Sequence, residues 1–487
     1  MKLRSDYDWV VLGDHPGAIL GGAMAARLGH SVLILPFKRE DTVRRTSRGK
    51  IIDLESNYLL GLTGSGKSSG VAVECMRFLY SGKPHWPLPD ASPIEGCISH
   101  VATPKARIKL LNEGMVLGNE VCRELGPAGE GSALDWKGIS QASEHAEAQV
   151  HLHWRKLPER LVTGRSKRRF VSQLLSQDRL EKKVARRLGQ ESSPDVRSWS
   201  ASGGSQQSVD LRFSGGRAEK EVLDGIWHSL TGALPVVYSP VSLLHMLILS
   251  GTGARVRGGI SAYRNYLFEV ARAWGAHVLF DSKVKCQAVF VENGALRGIQ
   301  LQSQGKMIST GSMLLGSSLA AVRRHLSSTG RDAVWKIPTS PQGWVFSVSL
   351  AVDWRGVPPG AGNRVIWSEE GASPIEIEVA ESSEYDLVDK QLRLVHLRTI
   401  LPFTQESLVT KNLRLTAARM VRLYSELFPF SMEHLKWIFP DFREDGGELE
   451  SVYGTAGLGE LPEFLWSDYR DGVGYESGVQ NLFLANN

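Results

Sequence analysis

Apolar residues divide the first 35 positions of the chain into a strand, a helix and a second strand. Residues 8–12 (DWVVL) form an apolar run that ends at Gly13. The apolar positions of AILGGAMAARLG then have helical spacing up to Gly29, and residues 31–35 (SVLIL) form a second apolar run. A strand, a tight turn, a helix and a strand within about 30 residues predict a βαβ unit.

A second clearly patterned block begins at the glycine pair Gly258 and Gly259. This pair opens an amphipathic run that predicts a helix to Trp274. Residues 276–280 (AHVLF) predict a strand. The segment VKCQAVFVENGALRGIQL alternates on both sides of 292–294 (ENG), which predicts a β-hairpin, and SMLLGSS predicts the strand that follows it.

Apolar and polar residues alternate over much of the last third of the chain. Residues 344–354, 373–380 and 392–403 alternate in this way, which predicts an antiparallel sheet. The run 408–428 has helical spacing and predicts a long helix, and the apolar start of 481–487 (NLFLANN) predicts a further strand. The whole pattern predicts an α/β protein with two domains.

The composition is that of a soluble globular protein. The chain has 487 residues, of which 42% are hydrophobic and 22% charged. The run that comes nearest to a membrane span, 240–249, is shorter than the roughly 18 residues that a spanning helix needs. We interpret it as a core helix or as a membrane-surface contact. The net charge of +5 is too small to identify a partner.

Cysteine usage and the amino terminus favour a cytoplasmic protein. The start of the chain lacks the pattern of a signal peptide. The four cysteines (Cys75, Cys97, Cys122 and Cys286) are far apart and form no CxxC pair. This spacing argues against a disulfide framework or a cysteine zinc site. The histidines of HAEAQVHLHW have no acidic partners fixed beside them, so we predict surface histidines and no metal site.

A strongly basic stretch lies in the middle of the chain. Residues 155–187 hold twelve Lys and Arg residues against three acidic ones, and the segment 192–216 after them is rich in Ser and Gly. We interpret this insertion, at about 155–216, as a solvated surface. The alternative is peripheral contact with an anionic membrane or with an acidic partner. Nucleic acid is not expected as a partner, because no interleaved aromatic motif is present.

Two stretches match patterns that bind phosphate groups. The first, GLTGSGKSSG, matches the phosphate-loop pattern GxxxxGK[ST] with Gly61, Gly66, Lys67 and Ser68. A phosphate loop needs a buried strand before its first Gly and a helix after its Ser. The match to the motif leaves a P-loop NTPase as one alternative for the function of the chain.

The second stretch, VVLGDHPGAILGG, follows the strand–turn–helix order of a dinucleotide-binding fingerprint, GxGxxG. With Gly13 as its first Gly, the second position is His15 and the third is Ala18. The second Gly normally lets the backbone approach the pyrophosphate. An acid is expected at the end of the second strand to accept the ribose hydroxyls, and Pro36 stands there instead.

Four stretches together resemble the superfamily of FAD-dependent oxidoreductases that includes phytoene desaturase, retinol saturase and the flavin amine oxidases. The amino-terminal unit VVLGDHPGAILGGAMAARLGHSVLIL is similar to the FAD-binding unit of that family. RGGISAYRNYLFEVARAWGAHVLFDSKVKCQAVFVENGALRGIQL, MLLGSSLAAVRRHL and GVQNLFLANN resemble its later segments. The resemblance implies a Rossmann-like FAD/NAD(P)-binding domain with an inserted α+β substrate domain.

The resemblance also implies where a cofactor would be bound. It assigns FAD contacts to Gly13, Pro16, Gly17, Ala18, Gly258, Gly259 and Val284. The chain departs from the family at His15 in place of Gly, at Pro36 in place of the acid and at Asn486 in place of Gly. The carboxyl-terminal FAD motif of the family is also missing, because the sequence stops at Asn487. No motif names a catalytic residue.

The family resemblance divides the chain into two discontinuous domains and leaves two functions open. The dinucleotide domain would comprise 1–80, 240–330 and 460–487, and the substrate or interaction domain would comprise 81–239 and 331–459. One function is FAD-dependent oxidation of a hydrophobic small molecule. The alternative is a flavin-less homologue that serves as a structural or binding subunit, with a partner protein in an enzyme complex.

Overall fold

The fold is that of a computed structural model of the chain. The residues that it describes are 3–36, 44–47, 50–53, 56–59, 62, 64–65, 68–69, 71–80, 93–94, 99–110, 114–126, 217–231, 253–256, 259–280, 286–301, 307–316, 343–358, 363–381, 391–402, 404, 406–442 and 480–484.

Six α-helices, three short 3-10 helices (Trp354–Gly356, Glu406–Leu408 and Ser431–His434) and 21 strands are assigned within these residues. The α-helices are α1 (Pro16–Arg27), α2 (Val71–Leu79), α3 (Gly114–Leu125), α4 (Arg217–Thr231), α5 (Gly259–Ala273) and α6 (Thr410–Leu427). The strands are β1 (Asp6–Gly13), β2 (Val32–Leu35), β3 (Arg44–Ser47), β4 (Lys50–Asp53), β5 (Tyr58–Leu59), β6 (Gly64–Ser65), β7 (Ser68–Ser69), β8 (Pro93–Ile94), β9 (Ser99–Ala102), β10 (Arg107–Leu110), β11 (Ala254–Val256), β12 (His277–Val278), β13 (Cys286–Glu292), β14 (Ala295–Leu301), β15 (Met307–Gly316), β16 (Gly343–Asp353), β17 (Arg364–Trp367), β18 (Ile375–Glu381), β19 (Leu392–Pro402), β20 (Leu435–Phe439) and β21 (Leu482–Leu484).

The first seven-stranded sheet has β1 and β15 at its centre. Its order is β12-β2-β1-β15-β14-β13, and β21 pairs with the carboxyl half of β15. The strands β12, β2, β1, β15 and β21 run parallel, and β13 and β14 add an antiparallel hairpin. Parallel strands are buried on both faces, which explains why β1 and β2 read as continuous apolar runs.

Helices α1 and α5 pack together on one face of this sheet. Ala18 and Ile19 of α1 and Tyr263 of α5 join Val11 and Ile34 of the sheet in one buried cluster. The βαβ unit predicted at the amino terminus is therefore confirmed, and so is the helix that Gly259 opens. The predicted hairpin is confirmed as well. Its turn places Asn293 (φ 52°) and Gly294 (φ 74°) in the left-handed region that two-residue hairpin turns need.

The second seven-stranded sheet has the order β10-β9-β17-β18-β19-β16-β20. All neighbours are antiparallel except β9 and β17. Helix α6 covers one face, where Leu413 and Met420 share a buried cluster with Val348 and Leu397 of the strands. The antiparallel sheet and the long helix predicted for the last third of the chain are confirmed.

Smaller elements lie between the two large sheets along the chain. Strands β5, β11 and β8 form an antiparallel three-stranded sheet, and β3–β4 and β6–β7 form two hairpins. The strands of the first large sheet come from 6–35, 277–316 and 482–484, and those of the second come from 99–110 and 364–439 together with β16. The exact domain bounds stay a prediction.

Some sequence predictions concern residues outside those that the structure describes. These are the basic and Ser/Gly-rich insertion at 155–216, the apolar run at 240–249 and the histidines of HAEAQVHLHW. No helix among the described residues combines the length and the apolar character needed to cross a membrane. In the same part of the chain, no three His, Cys, Asp or Glu side chains are grouped so that they could hold a metal ion.

Helix α4 carries a half-buried carboxyl group whose titration is shifted. Burial raises the pKa of Asp224 to about 7, against the opposing effect of Lys220. The folded state therefore binds more protons than the unfolded chain between pH 4 and pH 7. Its stability falls as the pH rises through that range.

We predict that Asp224→Asn raises the free energy of unfolding by roughly 2 kcal/mol at pH 8 and changes it little at pH 4. Urea unfolding followed by tryptophan fluorescence at the two pH values measures this. Asp8→Asn is the control, for which we expect the opposite change, a lower free energy of unfolding at pH 8. The reason is that hydrogen bonds from Ser31 lower the pKa of the exposed Asp8 and so favour its charged form in the folded state. Equal losses of stability between pH 4 and pH 8 in Asp224→Asn and the unchanged protein would contradict the prediction.

Candidate functional site

The carboxyl ends of β1 and β15 meet the amino end of α1 at one edge of the first sheet, and β21 pairs with β15 beside them. Strand β1 ends at Gly13, whose φ of 118° lies in the left-handed region, and Asp14 and His15 lead into the helix at Pro16. In open α/β sheets, ligands bind outside the carboxyl ends of the strands, and a helix amino terminus there favours anions. This edge is therefore the candidate functional site.

The first four residues of α1, counted from its cap, have no amide group left to offer an anion. The His15 N–H donates to the Gly316 carbonyl oxygen at 3.0 Å, and Pro16 has no N–H. The Gly17 N–H donates to Nδ1 of the His15 imidazole at 3.2 Å, and the Ala18 N–H donates to the His15 carbonyl oxygen at 3.0 Å. These are the groups with which a helix amino terminus binds phosphate. Here they are used within the chain.

His15 acts as the cap of α1. Its side chain accepts a hydrogen bond from the second residue of the helix, as Ser, Thr, Asp or Asn caps commonly do. His15 stands at the sequence position where the dinucleotide fingerprint has the glycine that lets the backbone approach a pyrophosphate. Asp14, which is only 6% exposed, adds a carboxyl group to the same turn.

The sequence alone did not single out Gly316, which completes this edge. A Cβ atom on Gly316 would lie 2.5 Å from Cβ of Ala18 and 3.4 Å from Cβ of His15. Only glycine therefore lets the end of β15 lie directly on the first turn of α1. The signal in the sequence was a glycine at the end of a buried strand, within MLLGSS.

Four of the sequence-predicted cofactor residues come together at this edge: Gly13, Pro16, Gly17 and Ala18. Gly259, with a φ of 75°, opens α5 on the same face of the sheet as α1. Pro36 follows β2, is half-buried and has no acceptor side chain. Gly258, Val284 and Asn486 lie outside the described residues.

The phosphate-loop pattern folds as a small hairpin. Strands β6 and β7 pair antiparallel, with Gly64 opposite Ser69 and Ser65 opposite Ser68. In a working phosphate loop Ser68 would begin a helix, but here it lies in a strand and α2 begins at Val71. The P-loop alternative is therefore wrong for the part of the motif that the structure describes. The motif residues Gly61, Gly66 and Lys67 lie outside that part.

A second feature is a buried layer of ionisable residues on the face of the second sheet opposite α6. We call it the polar layer; it consists of Arg364, Glu376, Glu378, His396 and Arg398, none of which is more than 4% exposed. The guanidinium Nε of Arg364 lies 2.5 Å from Glu376 Oε1, and that of Arg398 lies 3.3 Å from Glu376 Oε2. Arg398 also forms an ion pair with Glu378.

The polar layer balances two carboxylates against two guanidinium groups. Burial alone would raise the pKa of Glu376, but Arg364 and Arg398 outweigh it and hold that pKa below its usual range. Glu376 is therefore ionised inside the protein. Within the layer, Nδ1 of His396 lies 2.7 Å from Oγ of Ser349, and both residues are fully buried. These groups stabilise the sheet from within and have no access to solvent in this arrangement.

Comparison with known proteins shows which solved structures have a similar fold. No protein-family model and no curated protein matches the sequence. Among solved structures, the chain is similar to an oxidoreductase from Methanosarcina mazei (13% identity, 98% of this chain and 93% of that chain, TM-score 0.53). It is also similar to the PF1083 protein from Pyrococcus furiosus (12%, 89% and 88%, 0.51) and to a triple mutant of putrescine oxidase with redesigned cofactor binding (11%, 99% and 93%, 0.50). These likenesses show the fold, and they confirm the predicted α/β fold with a Rossmann-like domain.

The residues at the candidate site do not fit the flavin that the family resemblance of the sequence implies. A flavin pyrophosphate needs free amide groups at the amino end of α1, and those of the first turn already have acceptors within the chain. His15 also puts an imidazole at the fingerprint position where a glycine lets the backbone approach a pyrophosphate, and the buried Asp14 lies next to it in the turn. The mismatch is therefore one of geometry as well as of sequence.

We predict that Arg364→Met lowers the free energy of unfolding by about 3–5 kcal/mol, because Glu376 then keeps one of its two guanidinium partners. The double variant Arg364→Met/Glu376→Met retains the balanced pair of Arg398 and Glu378 and should lose less. Chemical unfolding of both variants measures the difference.

The matched surface control is Arg422→Met, whose exposed partner Glu426 is 3.7 Å away. It should cost at most about 0.5 kcal/mol. Additive losses in the double variant would show that the charges of the polar layer do not compensate one another.

Proposed function

We propose that this chain uses the fold of the FAD-dependent oxidoreductases as a binding scaffold without a flavin. Its role would be that of a structural or binding subunit in an enzyme complex. The observation that carries the proposal is the closed amino end of α1, where His15 caps the helix from within. Electrostatic and hydrogen-bonding anchorage of a pyrophosphate depends on that end of the helix being open.

Independent positions support the same conclusion. Pro36 removes the side chain that would accept the ribose hydroxyls, and Asp14 brings a carboxyl group to the phosphate end. These positions belong to different elements of the chain, yet each affects a contact to one and the same ligand. The scaffold around them is intact, since α1, α5 and the central strands form a continuous buried core. A structural or binding role is compatible with both observations.

The second candidate is FAD-dependent oxidation of a hydrophobic small molecule. It is favoured by the fold itself and by the likeness to putrescine oxidase over nearly the whole chain. The catalytic residues of such a reaction are not assigned. For either function, we propose a cytoplasmic location and a partner subunit. We also propose that residues 155–187 contact an anionic membrane.

We predict that the purified protein does not retain FAD after desalting, whereas His15→Gly binds FAD at least about tenfold more tightly. The glycine frees the Gly17 N–H for a charge-assisted hydrogen bond and clears space for a phosphate. Such a bond contributes about 1.5–3 kcal/mol, and 1.4 kcal/mol is a factor of ten in affinity. Visible absorbance after desalting and titration of flavin fluorescence measure the two affinities.

The matched control is His15→Asn, because asparagine is a good helix cap and keeps the Gly17 N–H occupied. It should bind FAD as poorly as the unchanged protein. Stoichiometric yellow flavin that stays with the unchanged protein through desalting would overturn the proposal in favour of the flavin-dependent oxidoreductase.

A further inference from the structure

Asn57 is a fully buried residue at which three elements meet. Its backbone N–H points to the carboxylate of Glu378 on β18, 3.3 Å from each oxygen. Its side-chain Oδ1 accepts a hydrogen bond from the Ile260 N–H, 3.2 Å away, at the start of α5. Its carbonyl oxygen accepts from the Val256 N–H at 3.2 Å, on β11. One residue thus links the second sheet, the small sheet and α5.

The helix end that Asn57 contacts would otherwise need another partner. The first N–H groups of a helix have no acceptor within the helix, and asparagine is among the best residues at satisfying them. Here the acceptor comes from 203 positions away along the chain instead of from the residue before the helix. The site is buried, so water is not at hand as a substitute.

The carboxylate of Glu378 also depends on this contact. Its partners are Arg398 in the polar layer, the backbone of Asn57 and, at 3.4 Å, the hydroxyl of Ser56. A buried carboxylate needs compensation from every direction, because it has lost its hydration. Glu378 therefore accepts hydrogen bonds from Asn57 and Ser56 and is paired with the opposite charge of Arg398.

A further hydrogen bond runs beside these contacts. Nη1 of Arg255, on β11, donates to the carbonyl oxygen of Val379 at 2.6 Å, one residue along β18 from Glu378. The small sheet is thus fixed to β18 at two adjacent residues. The contact at Asn57 is the one that continues to α5.

We propose that Glu378, Asn57 and Ile260 form an interdomain clasp that holds the amino end of α5 against the polar layer. The clasp fixes the position of α5, and with it that of α1 and the candidate site, relative to the second sheet. Loosening of the contact between the Asn57 N–H and Glu378 is therefore transmitted to the first turn of α5. This inference goes beyond the proposed function and holds whether or not a flavin binds.

Hydrogen–deuterium exchange of the full-length protein tests the clasp at the Ile260 amide. Asn57→Ala removes the acceptor for this amide and leaves all charges of the polar layer in place. We expect exchange at Ile260 and in the first turn of α5 to become at least about tenfold faster, as local opening becomes easier. Exchange in α6 should not change, which reports that the fold is intact.

The matched control is Ser56→Ala, which removes a contact to the same carboxylate but none to α5. It should leave exchange at Ile260 within about twofold of the unchanged protein. The double variant Glu378→Met/Arg398→Met removes the other end of the clasp and retains the balanced pair of Arg364 and Glu376. It should accelerate exchange at Ile260 as Asn57→Ala does.

The exchange rates separate the clasp from a purely local packing role. Unchanged exchange at Ile260 in Asn57→Ala, or equal acceleration in Ser56→Ala, would overturn the clasp. If Asn57→Ala does not fold, the double variant decides in the same way. Because no flavin takes part in the measurement, its result is independent of the FAD titration.

Discussion

A backbone amide that leaves water must find another acceptor, and at the amino end of α1 the chain itself supplies each one. The register of β1 against β15 determines this arrangement. Because Gly13 lies opposite Gly316, the Gly316 carbonyl oxygen faces the N–H of His15, and the imidazole then closes the first turn. In many folds of this kind, phosphate groups bind at this edge of the sheet. Here the amide groups of the first turn of α1 donate to acceptors within the chain.

In the second sheet, buried charged side chains must likewise find partners within the chain. One face of that sheet packs apolar side chains against α6, and the other buries the polar layer. Buried ions are tolerated when opposite charges and hydrogen bonds surround them, and removal of one partner is costly. The polar layer thus specifies one arrangement of strands and of the segments that cover them. In both sheets, buried polar groups find their hydrogen-bond or ion-pair partners inside the protein, and these contacts help to specify the arrangement of the elements.

Much of the fold was predictable from the sequence because hydrophobic period depends only on local order. The βαβ unit, the hairpin at Asn293 and Gly294, and helix α6 were all visible in this way. The misfit of His15 with the fingerprint was visible too, but its capping role depends on the Gly17 N–H in three dimensions. The alternation in SPIEIEVA indicated a strand without showing that its glutamates are buried, since the same alternation is typical of a solvent-exposed face. The link between Asn57 and Ile260 joins residues too far apart for any local pattern. GLTGSGKSSG matched the phosphate-loop motif, but Ser68 lies in a strand where that motif needs the start of a helix.

The pairing of β1 with β15 also has a consequence for biosynthesis. Asp6 pairs with Ser309, so the first strand leaves the ribosome about 300 residues before its central partner exists. At roughly 5–20 residues per second, this is an interval of about 15–60 s. During that time an apolar strand has an open edge, which is the condition under which chains aggregate or recruit chaperones. The topology therefore leaves this edge of the nascent amino-terminal unit unpaired until residues 307–316 have been synthesised.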